Sequence, residues 1–544
     1  MNLARFPGPP LLLAICLAAS PSIFLAGDSP AAAPAGSAPA AELVYESNFD
    51  EFVRAKVWSD TRSCEIPASG KRMLGRFSDH DAATLTVRDL PPHQAVRLRA
   101  TLVIVGSPDG NQVPFETDCW GACLGEKGPL LFMTSFDHIG PWRQRGEGRQ
   151  SYPDEFPAGG YPSGTGAAGV GTKGFPFMQV DEKPIIDATY AIDWTIPHGD
   201  DEFSIRFFGF FSNGGLTDES WGLERVTVEA LSTELPLAED EIPDLWDRLM
   251  GDDPVAADQA LWRFVGSGAK GIDAVAQRTA GLLGECEKAQ AHGRRRFQGA
   301  LHDLRSGEQP KVARGLEAIA GQKGDAIPFL TDAVFLSVPE GGERPLAGDP
   351  QALLRQALHT SLPTTDPLPA WFNRLSRVKR IARIAAPTSE RARRILQQIS
   401  ESQSAPDPRG IRLMLPLYAV MEDNQRLPDI RTGAWALEDW TDSKSSASWW
   451  LKDLPAGKYR AEVLLACKSG WEGSTMEISV DGIAREFPVP DTADWTFYRW
   501  VEGGDFAIQH DQGSAKVSVA PKVAVKEGAG IANLRAVRLL PLAQ

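Results

Sequence analysis

The chain has 544 residues, 42% of them hydrophobic, and a formal net charge of −15 at pH 7. This length exceeds that of one ordinary domain, so we expect several. The acidic balance argues against nonspecific binding to nucleic acid or to an anionic membrane, because both carry negative charge.

The N-terminal residues have the pattern of a targeting segment. Arg5 supplies the positive start, and the apolar run over 11–19 is too short to span a bilayer. We therefore predict a signal peptide over 1–26 and a flexible, Ala- and Pro-rich linker over 27–41. No later stretch is long and apolar enough to predict a transmembrane segment. The protein is expected to be exported, to the periplasm, the cell surface or the outside.

Five cysteines remain after removal of the leader: Cys64, Cys119, Cys123, Cys286 and Cys467. Cys119 and Cys123 are close enough in sequence for one disulfide in an exported protein, and two buried thiols are the alternative. The eight histidines are scattered and no second cysteine pair exists, which argues against a zinc site.

Residues 42–233 are predicted to form an antiparallel β domain. Short alternating runs, as at 84–87, 96–105 and 225–230, are typical of half-buried strands. The stretch 151–174 is rich in Gly and Pro and is predicted to be a long surface loop.

Several motifs of this domain resemble, in their order, a lectin-like β-sandwich of secreted bacterial proteins. They are Leu74-Gly75-Arg76-Phe77, Ser107-Pro108-Asp109-Gly110-Asn111, Thr134-Ser135-Phe136 and Asp218-Glu219-Ser220-Trp221-Gly222-Leu223. The resemblance implies a sandwich fold without a defined common activity. Pro108 stands where the family usually has Trp.

Five oxygen-bearing side chains at turns of this domain are candidate ligands for a hard cation. They are Asp109, Asn111, Asp118, Asp218 and Glu219. Because Ca²⁺ prefers carboxylate and amide oxygens, the sequence raises calcium as a candidate cofactor. The simpler interpretation is that Asp and Asn form the turns, since turn chemistry explains each residue alone.

No catalytic residues are assigned, and a noncatalytic protein is predicted. Glu116 and Asp118 are spaced like the paired carboxylates of sandwich glycoside hydrolases, but Cys119-Trp120-Gly121 follows where the related motif has a third carboxylate. The sequence also shows no Ser-His-Asp order and no His-Glu-x-x-His.

Residues 234–424 change to helical periodicity. Asp253-Pro254 is a typical helix start, and Val312 and Ile319 recur at helical spacing. We predict short antiparallel helix pairs. The basic run 374–394 is interpreted as a solvated helix face, with docking of an acidic partner as the alternative.

The two ends of this region resemble a HEAT-like helical module of exported bacterial proteins. The matching stretches are Leu245-Trp246-Asp247-Arg248-Leu249, Ala256-Ala257-Asp258-Gln259-Ala260-Leu261-Trp262 and Pro387-Thr388-Ser389-Glu390-Arg391-Ala392-Arg393-Arg394-Ile395-Leu396. The resemblance implies a helical spacer whose surface could bind other exported proteins.

Residues 425–544 return to strand alternation, at 460–466 and 476–480. Asp481-Gly482 is a strong hairpin signal. Trp449 and Trp450 occupy adjacent strand positions, so we expect them to face opposite sides, with one of them buried.

This last region resembles galactose-binding-like sandwiches, including carbohydrate-binding modules of families six and thirty-five. The resemblance rests on Ser448-Trp449-Trp450-Leu451, Pro455-Ala456-Gly457-Lys458-Tyr459, Ser474-Thr475-Met476-Glu477-Ile478-Ser479-Val480-Asp481-Gly482, Thr492-Ala493-Asp494-Trp495 and Ala532-Asn533-Leu534-Arg535-Ala536-Val537-Arg538-Leu539. It implies that Trp495 and Asn533 contact a sugar and that Trp471 supplies a stacking platform. Ala493 departs from the family, which has Gly there.

The sequence thus predicts a multidomain protein with two antiparallel β-sandwiches of jelly-roll type flanking an all-α HEAT-like domain. Its predicted function is noncatalytic binding of a polysaccharide or cell-surface glycan, mainly by the C-terminal sandwich. Two alternatives stay open: a protein-interaction scaffold in which both sandwiches are structural, and a polysaccharide-active enzyme with an unrecognised site.

Overall fold

The structure is a computed structural model of the chain. It describes residues 39–51, 56–111, 118–125, 128–138, 149–177, 184–211, 215–305, 308–320, 369–403, 410–416, 419–422, 437, 440, 446–495, 497–509, 513–526 and 530–542. The predicted signal peptide and most of the predicted linker lie outside the described residues. Residues Pro39–Gln544 form one compact unit.

Thirteen strands come first among the described residues. They are β1 (Ala41–Ser47), β2 (Ser63–Glu65), β3 (Arg72–Phe77), β4 (Ala82–Val87), β5 (Ala95–Gly106), β6 (Cys119–Leu124), β7 (Leu130–Ser135), β8 (Arg149–Gln150), β9 (Tyr161–Pro162), β10 (Ala167–Val170), β11 (Asp187–Pro197), β12 (Phe203–Phe210) and β13 (Glu219–Leu231). One sheet has the order β10-β11-β5-β13-β3-β2, with β1 also paired to β13, and a second has the order β4-β12-β6-β7. Strands β8 and β9 pair separately.

These two large N-terminal sheets face each other across a layer of aromatic rings. Trp120 of β6 meets Trp221 of β13 edge-on, with ring centroids 6.2 Å apart. Phe132 of β7 meets Trp194 of β11 at 6.0 Å. The alternation read from the sequence produces this layer, because every second residue of a strand points to the same side.

The prediction of a surface loop over 151–174 is wrong for the first part of this stretch. Most of residues 151–160 are buried, and the Gly159 amide donates to Asn373 Oδ1 at 3.1 Å. The cause is tertiary: a helix far along the chain packs on this segment. Gly159 has φ +90, and a Cβ there would lie 2.6 Å from the Ser151 carbonyl oxygen, so a Gly-rich sequence serves close packing here.

Helices follow the strands. Those described are α1 (Ile242–Met250), α2 (Pro254–Gly266), α3 (Gly268–Arg305), α4 (Gln309–Ala320), α5 (Ala370–Ala385) and α6 (Glu390–Gln403). The predicted start of α2 is confirmed, because Asp253 Oδ1 accepts from the amides of Val255 and Ala256 at 3.0 and 3.2 Å. The expectation of short helix pairs is wrong for α3, which runs for 38 residues.

The hydrophobic core runs without a break from the N-terminal sheets into the helices. Trp194 of β11 stacks on Trp262 of α2, with centroids 5.0 Å apart and an interplanar angle of 21°. The predicted boundary near 234 coincides with the change from strand to helix, whereas independent folding of the two parts stays a prediction.

The remaining strands form a second pair of sheets with its own core. They are β14 (Arg412–Met414), β15 (Val420–Glu422), β16 (Ser446–Lys452), β17 (Gly457–Ala466), β18 (Thr475–Val480), β19 (Ile483–Pro488), β20 (Arg499–Ile508), β21 (Ser514–Val523) and β22 (Asn533–Pro541). The orders are β14-β22-β17-β20 and β15-β16-β21-β18-β19. Strands β14 and β15 precede the predicted start at 425, because three-residue strands carry too little alternation to be recognised.

Local predictions within this C-terminal part are confirmed. Val480 pairs with Ile483 across the Asp481-Gly482 turn, where both turn residues have positive φ. Trp449 is buried and donates from Nε1 to the Leu415 carbonyl at 2.8 Å, while Trp450 is half-buried on the other face. In the part of the chain that is described, no helix has the length and apolarity needed to cross a membrane.

Candidate functional site

Two of the predicted sugar-binding side chains lie side by side at one end of the C-terminal sheets. Trp471 lies in the loop between β17 and β18, and Trp495 lies in the loop between β19 and β20. Their ring centroids are 5.9 Å apart with an interplanar angle of 60°. Both side chains pack on the core and are half-buried, so each leaves part of its ring to solvent.

Asn533, the third predicted residue, lies next to them but plays a supporting role. It is the first residue of β22 and only 7% exposed. Its Nδ2 donates to the Trp495 carbonyl oxygen at 3.0 Å. The amide therefore holds the loop that carries Trp495, as a turn residue would.

The Trp495 loop has a left-handed backbone at Ala493. Ala493 has φ +78, and its amide donates to Asp491 Oδ1 at 2.7 Å. The Cys467 amide donates to Thr492 Oγ1 at 2.7 Å and so ties the loop to the end of β17. An alanine thus holds this left-handed conformation at a cost in strain.

A cation and two apolar side chains complete the surface, and none of them was predicted. Lys526 Nζ lies 4.1 Å from the centroid of the Trp471 ring and donates to the Gly470 carbonyl at 2.9 Å. Val525 is exposed, and its amide donates to Ser474 Oγ at 3.2 Å beside the Trp471 loop. Phe497, two residues after Trp495, is also exposed. Isolated surface residues carry no periodic signal by which the sequence could reveal them.

The thiol of Cys467 lies buried beneath this surface. Burial, together with the nearby charges of Glu472 and Asp491, raises its pKa to about 11. A neutral thiol is a poor nucleophile and a poor metal ligand. Cys467 is therefore no candidate nucleophile for this site.

A second cluster brings together three of the five predicted calcium ligands. Oxygen atoms of Asp109, Asp118 and Glu219 all lie within 4.8 Å of one another. Asp118 is 1% exposed and Glu219 3% exposed. The Asp109 amide also donates to Asp118 Oδ2 at 2.7 Å. The donor set is the hard-oxygen type that suits Ca²⁺.

The other two predicted ligands make turn and loop contacts instead. Asn111 Oδ1 accepts from Ser135 Oγ and, at 3.1 Å, from Ser151 Oγ. Asp218 Oδ1 accepts from Ser107 Oγ at 2.7 Å. Glu116, considered above as one of a carboxylate pair, lies outside the described residues.

Cys119 and Cys123 both lie buried on β6, and the structure records thiols at both positions rather than a disulfide. Cys123 Sγ donates to the Gly125 carbonyl at 3.3 Å. The structure thus has two buried thiols, the second of the alternatives considered above.

The interpretation of the basic run 374–394 as a solvated face is wrong for its part on α5, whereas Arg391, Arg393 and Arg394 on α6 are exposed. Arg377 pairs with Asp154, Arg380 with Asp258 and Arg383 with Glu155. Arg380 also lies with its guanidinium carbon 4.1 Å from the centroid of the Phe132 ring. The spacing of three places these arginines on one face of α5, and that face binds the chain's own N-terminal sheets and α2.

Comparison with known proteins gives only weak structural neighbours. No family profile matches the sequence, and no curated protein matches it either. Among solved structures, the insecticidal crystal protein Cry2Aa matches at 12% identity over 25% of this chain and 22% of its own, with a TM-score of 0.20. A ruminal GH26 endo-β-1,4-mannanase matches at 20% identity over 18% of each chain, with a TM-score of 0.15.

A family 35 carbohydrate binding module from an environmental isolate is also similar. It matches at 17% identity over 20% of this chain and 78% of its own, with a TM-score of 0.17. This chain thus spans about a fifth of the first two neighbours and most of the third. At these TM-scores the likenesses define no shared fold for the chain as a whole.

Proposed function

We propose that the protein is an exported, noncatalytic carbohydrate-binding or cell-surface protein, and that its C-terminal sheets form a galactose-binding-like sandwich that binds glycan. The observation that carries this proposal is the pair of half-exposed indoles, Trp471 and Trp495, 5.9 Å apart on neighbouring loops. The expected ligand is a polysaccharide or a cell-surface glycan.

The physical reason lies in the shape of a sugar. A pyranose has an apolar face, and an indole offers that face a rigid, flat surface at low entropic cost. Because the two rings are inclined at 60°, they form two walls of a shallow cleft rather than one plane. Lys526, whose Nζ lies over the Trp471 ring, can donate hydrogen bonds to hydroxyl groups, as its ammonium carries three donors.

A protein-interaction scaffold is the second candidate function. In this interpretation the helices form a HEAT-like spacer and both pairs of sheets are structural. The observation in its favour is that α5 already acts as a binding surface, since Arg377 and Arg380 recognise acidic side chains of the same chain. That face of α5 already contacts the N-terminal sheets and α2, however. Less of the helical surface is therefore exposed to a partner protein.

Retention of the full chain on insoluble polysaccharides and a glycan array separates the two candidates. We expect the protein to bind at least one glycan class and expect Trp471→Ala and Trp495→Ala to reduce retention. Trp246→Ala is the matched control, because Trp246 is a half-buried indole on α1, in the helical region. No retention on a broad panel would reject the carbohydrate proposal in favour of the scaffold.

A further inference from the structure

A cavity of about 550 Å³ lies where the three parts of the chain meet. The N-terminal sheets contribute β7 and the segment after β8, the helices contribute α5 and α6, and the C-terminal sheets contribute β16. This volume is within the range of ordinary small-molecule sites, roughly 300–1,000 Å³. The cavity shares no lining residue with the tryptophan cleft or with the acidic cluster.

Most of the wall is apolar and comes from all three parts. Phe156, Phe372, Leu396 and Trp450 are among the lining residues. Trp450 is half-buried, and its backbone amide donates to Ser400 Oγ of α6 at 3.0 Å. An apolar wall of this kind favours a hydrocarbon or aromatic ligand body, because it gives a sugar few hydrogen-bond partners.

The polar part of the lining carries an excess of positive charge in a chain that is strongly acidic overall. Four cations line the cavity, against two carboxylates: Lys379, Arg383, Arg393 and Arg394 face Glu155 and Glu390. The two carboxylates pair with arginines, Glu155 with Arg383, and Glu390 with both Arg393 and Arg394. The net electrostatic preference is for an anion.

Lys379 places an amine among the apolar residues of this wall. Burial, the largest cause, and the neighbouring Arg383 together lower its pKa to about 7, while Glu155 acts in the opposite direction. An anionic head group beside the amine would favour its charged form. Arg394 is 72% exposed and lies at the rim, where it extends the positive potential to the entrance.

We propose that this cavity binds an amphipathic carboxylate of the fatty-acid type, with its hydrocarbon chain against the apolar wall and its carboxylate near Lys379 and Arg394. The proposal is independent of glycan binding by the C-terminal sheets. A fatty acid bound in this cavity would contact all three parts of the chain.

Calorimetric titration of the full chain with dodecanoate, below its micelle concentration at pH 7, tests the proposal. We expect saturable binding, weakened about tenfold or more by Lys379→Met, because a hydrogen bond to a charged group is lost. Arg394→Glu should weaken binding several-fold and is expected to leave folding intact, since the side chain is mostly exposed. Lys458→Met removes an exposed lysine outside the cavity and should bind like the wild type.

The pH dependence supplies a second readout. In the absence of ligand, the ammonium form of Lys379 is lost as the pH rises through about 7, so affinity should fall between pH 7 and 8.5 by up to about tenfold per unit. Arg383 and Glu155 act on the amine directly, and the other charged side chains that line the cavity are Glu390, Arg393 and Arg394. Carboxylates and guanidinium groups ordinarily titrate outside this range, and so does the probe. Lys379→Met should therefore abolish the fall.

Three results would overturn the proposal. One is an absence of dodecanoate binding, and another is equal binding of dodecyltrimethylammonium, which has the same tail and the opposite charge. The third is wild-type affinity in both Lys379→Met and Arg394→Glu. If Lys379→Met fails to fold, Arg394→Glu and the charge-reversed probe still decide the outcome.

Discussion

Arg377 of α5 and Asp154 of the segment after β8 form a two-point ion pair in which both side chains are only 4% exposed. Nε donates to Oδ1 at 2.9 Å and Nη2 to Oδ2 at 3.0 Å. The same guanidinium donates from Nη1 to the carbonyls of Leu249 and Gly251, each at 2.8 Å. Burial alone would lower the pKa of Arg377, but the charge and hydrogen bonds of Asp154 outweigh it and raise that pKa.

This ion pair predicts a large loss of stability when one partner is removed. Arg377→Met leaves Asp154 buried without its countercharge, so the free energy of unfolding should fall by about 3–5 kcal/mol. Arg391→Met is the matched control, because Arg391 pairs with Asp273 while both side chains are about half exposed. It should cost no more than about 1 kcal/mol. Urea unfolding measures both, and equal losses would contradict the account.

The sequence could predict those features that are decided within a few residues. The Asp253 cap and the Asp481-Gly482 hairpin follow from local chemistry, and both are confirmed. The role of Arg377 could not be predicted, because its partner Asp154 is 223 positions away and no local pattern joins them. The burial of residues 151–160 was missed for the same reason, since α5 causes it.

The candidate site was partly predictable as well. Resemblance to a known module pointed to Trp471, Trp495 and Asn533, and the structure places the three together. Lys526 was missed, because a single exposed lysine has no distinguishing context in sequence. Its position over Trp471 depends on the packing of the segment after β21 against the loop between β17 and β18, which is distant in sequence.

Because its backbone is left-handed, Ala493 is a position where we predict that glycine stabilises the protein. With φ +78 the alanine holds a conformation that costs an L-residue about 1–2 kcal/mol and glycine much less. Ala493→Gly should therefore raise the free energy of unfolding by about 0.4–1 kcal/mol, after the entropy of the unfolded chain is counted. Ala484→Gly, on the exposed face of β19, should instead lower it by about 0.5–1 kcal/mol. A loss of stability in Ala493→Gly would contradict the assigned backbone geometry.

The oxygen atoms of Asp109, Asp118 and Glu219 lie close together, and calcium binding by this cluster stays a prediction. Binding to the folded state alone raises the free energy of unfolding by mass action, by about 1.4 kcal/mol at a calcium concentration ten times Kd, and so raises the melting temperature. We expect the full chain to melt higher in millimolar calcium than in chelator. Glu219→Gln should remove the difference, whereas Glu229→Gln on the same strand should keep it. Identical melting of the wild type in both conditions would reject the calcium prediction.

Because β14 and β15 belong to the C-terminal sheets, we predict that a folded C-terminal fragment must include them. Met414 lies in its core, and Arg412 of β14 donates from Nη2 to the Asp453 carbonyl at 2.9 Å. A fragment starting at residue 410 should therefore show a cooperative thermal transition. One starting at 425 lacks both strands and should melt lower or not fold. Equal melting temperatures by circular dichroism would show that these strands contribute nothing.

The central claim, glycan binding at Trp471 and Trp495, is tested most directly by calorimetric titration of the full chain with an oligosaccharide of the retained class. If a sugar stacks on these rings, Trp471→Ala and Trp495→Ala should each cost about 1–3 kcal/mol in binding free energy, by analogy with base stacking on aromatics. Trp246→Ala should bind like the wild type. Wild-type affinity in both folded cleft variants would place the glycan elsewhere and contradict the account.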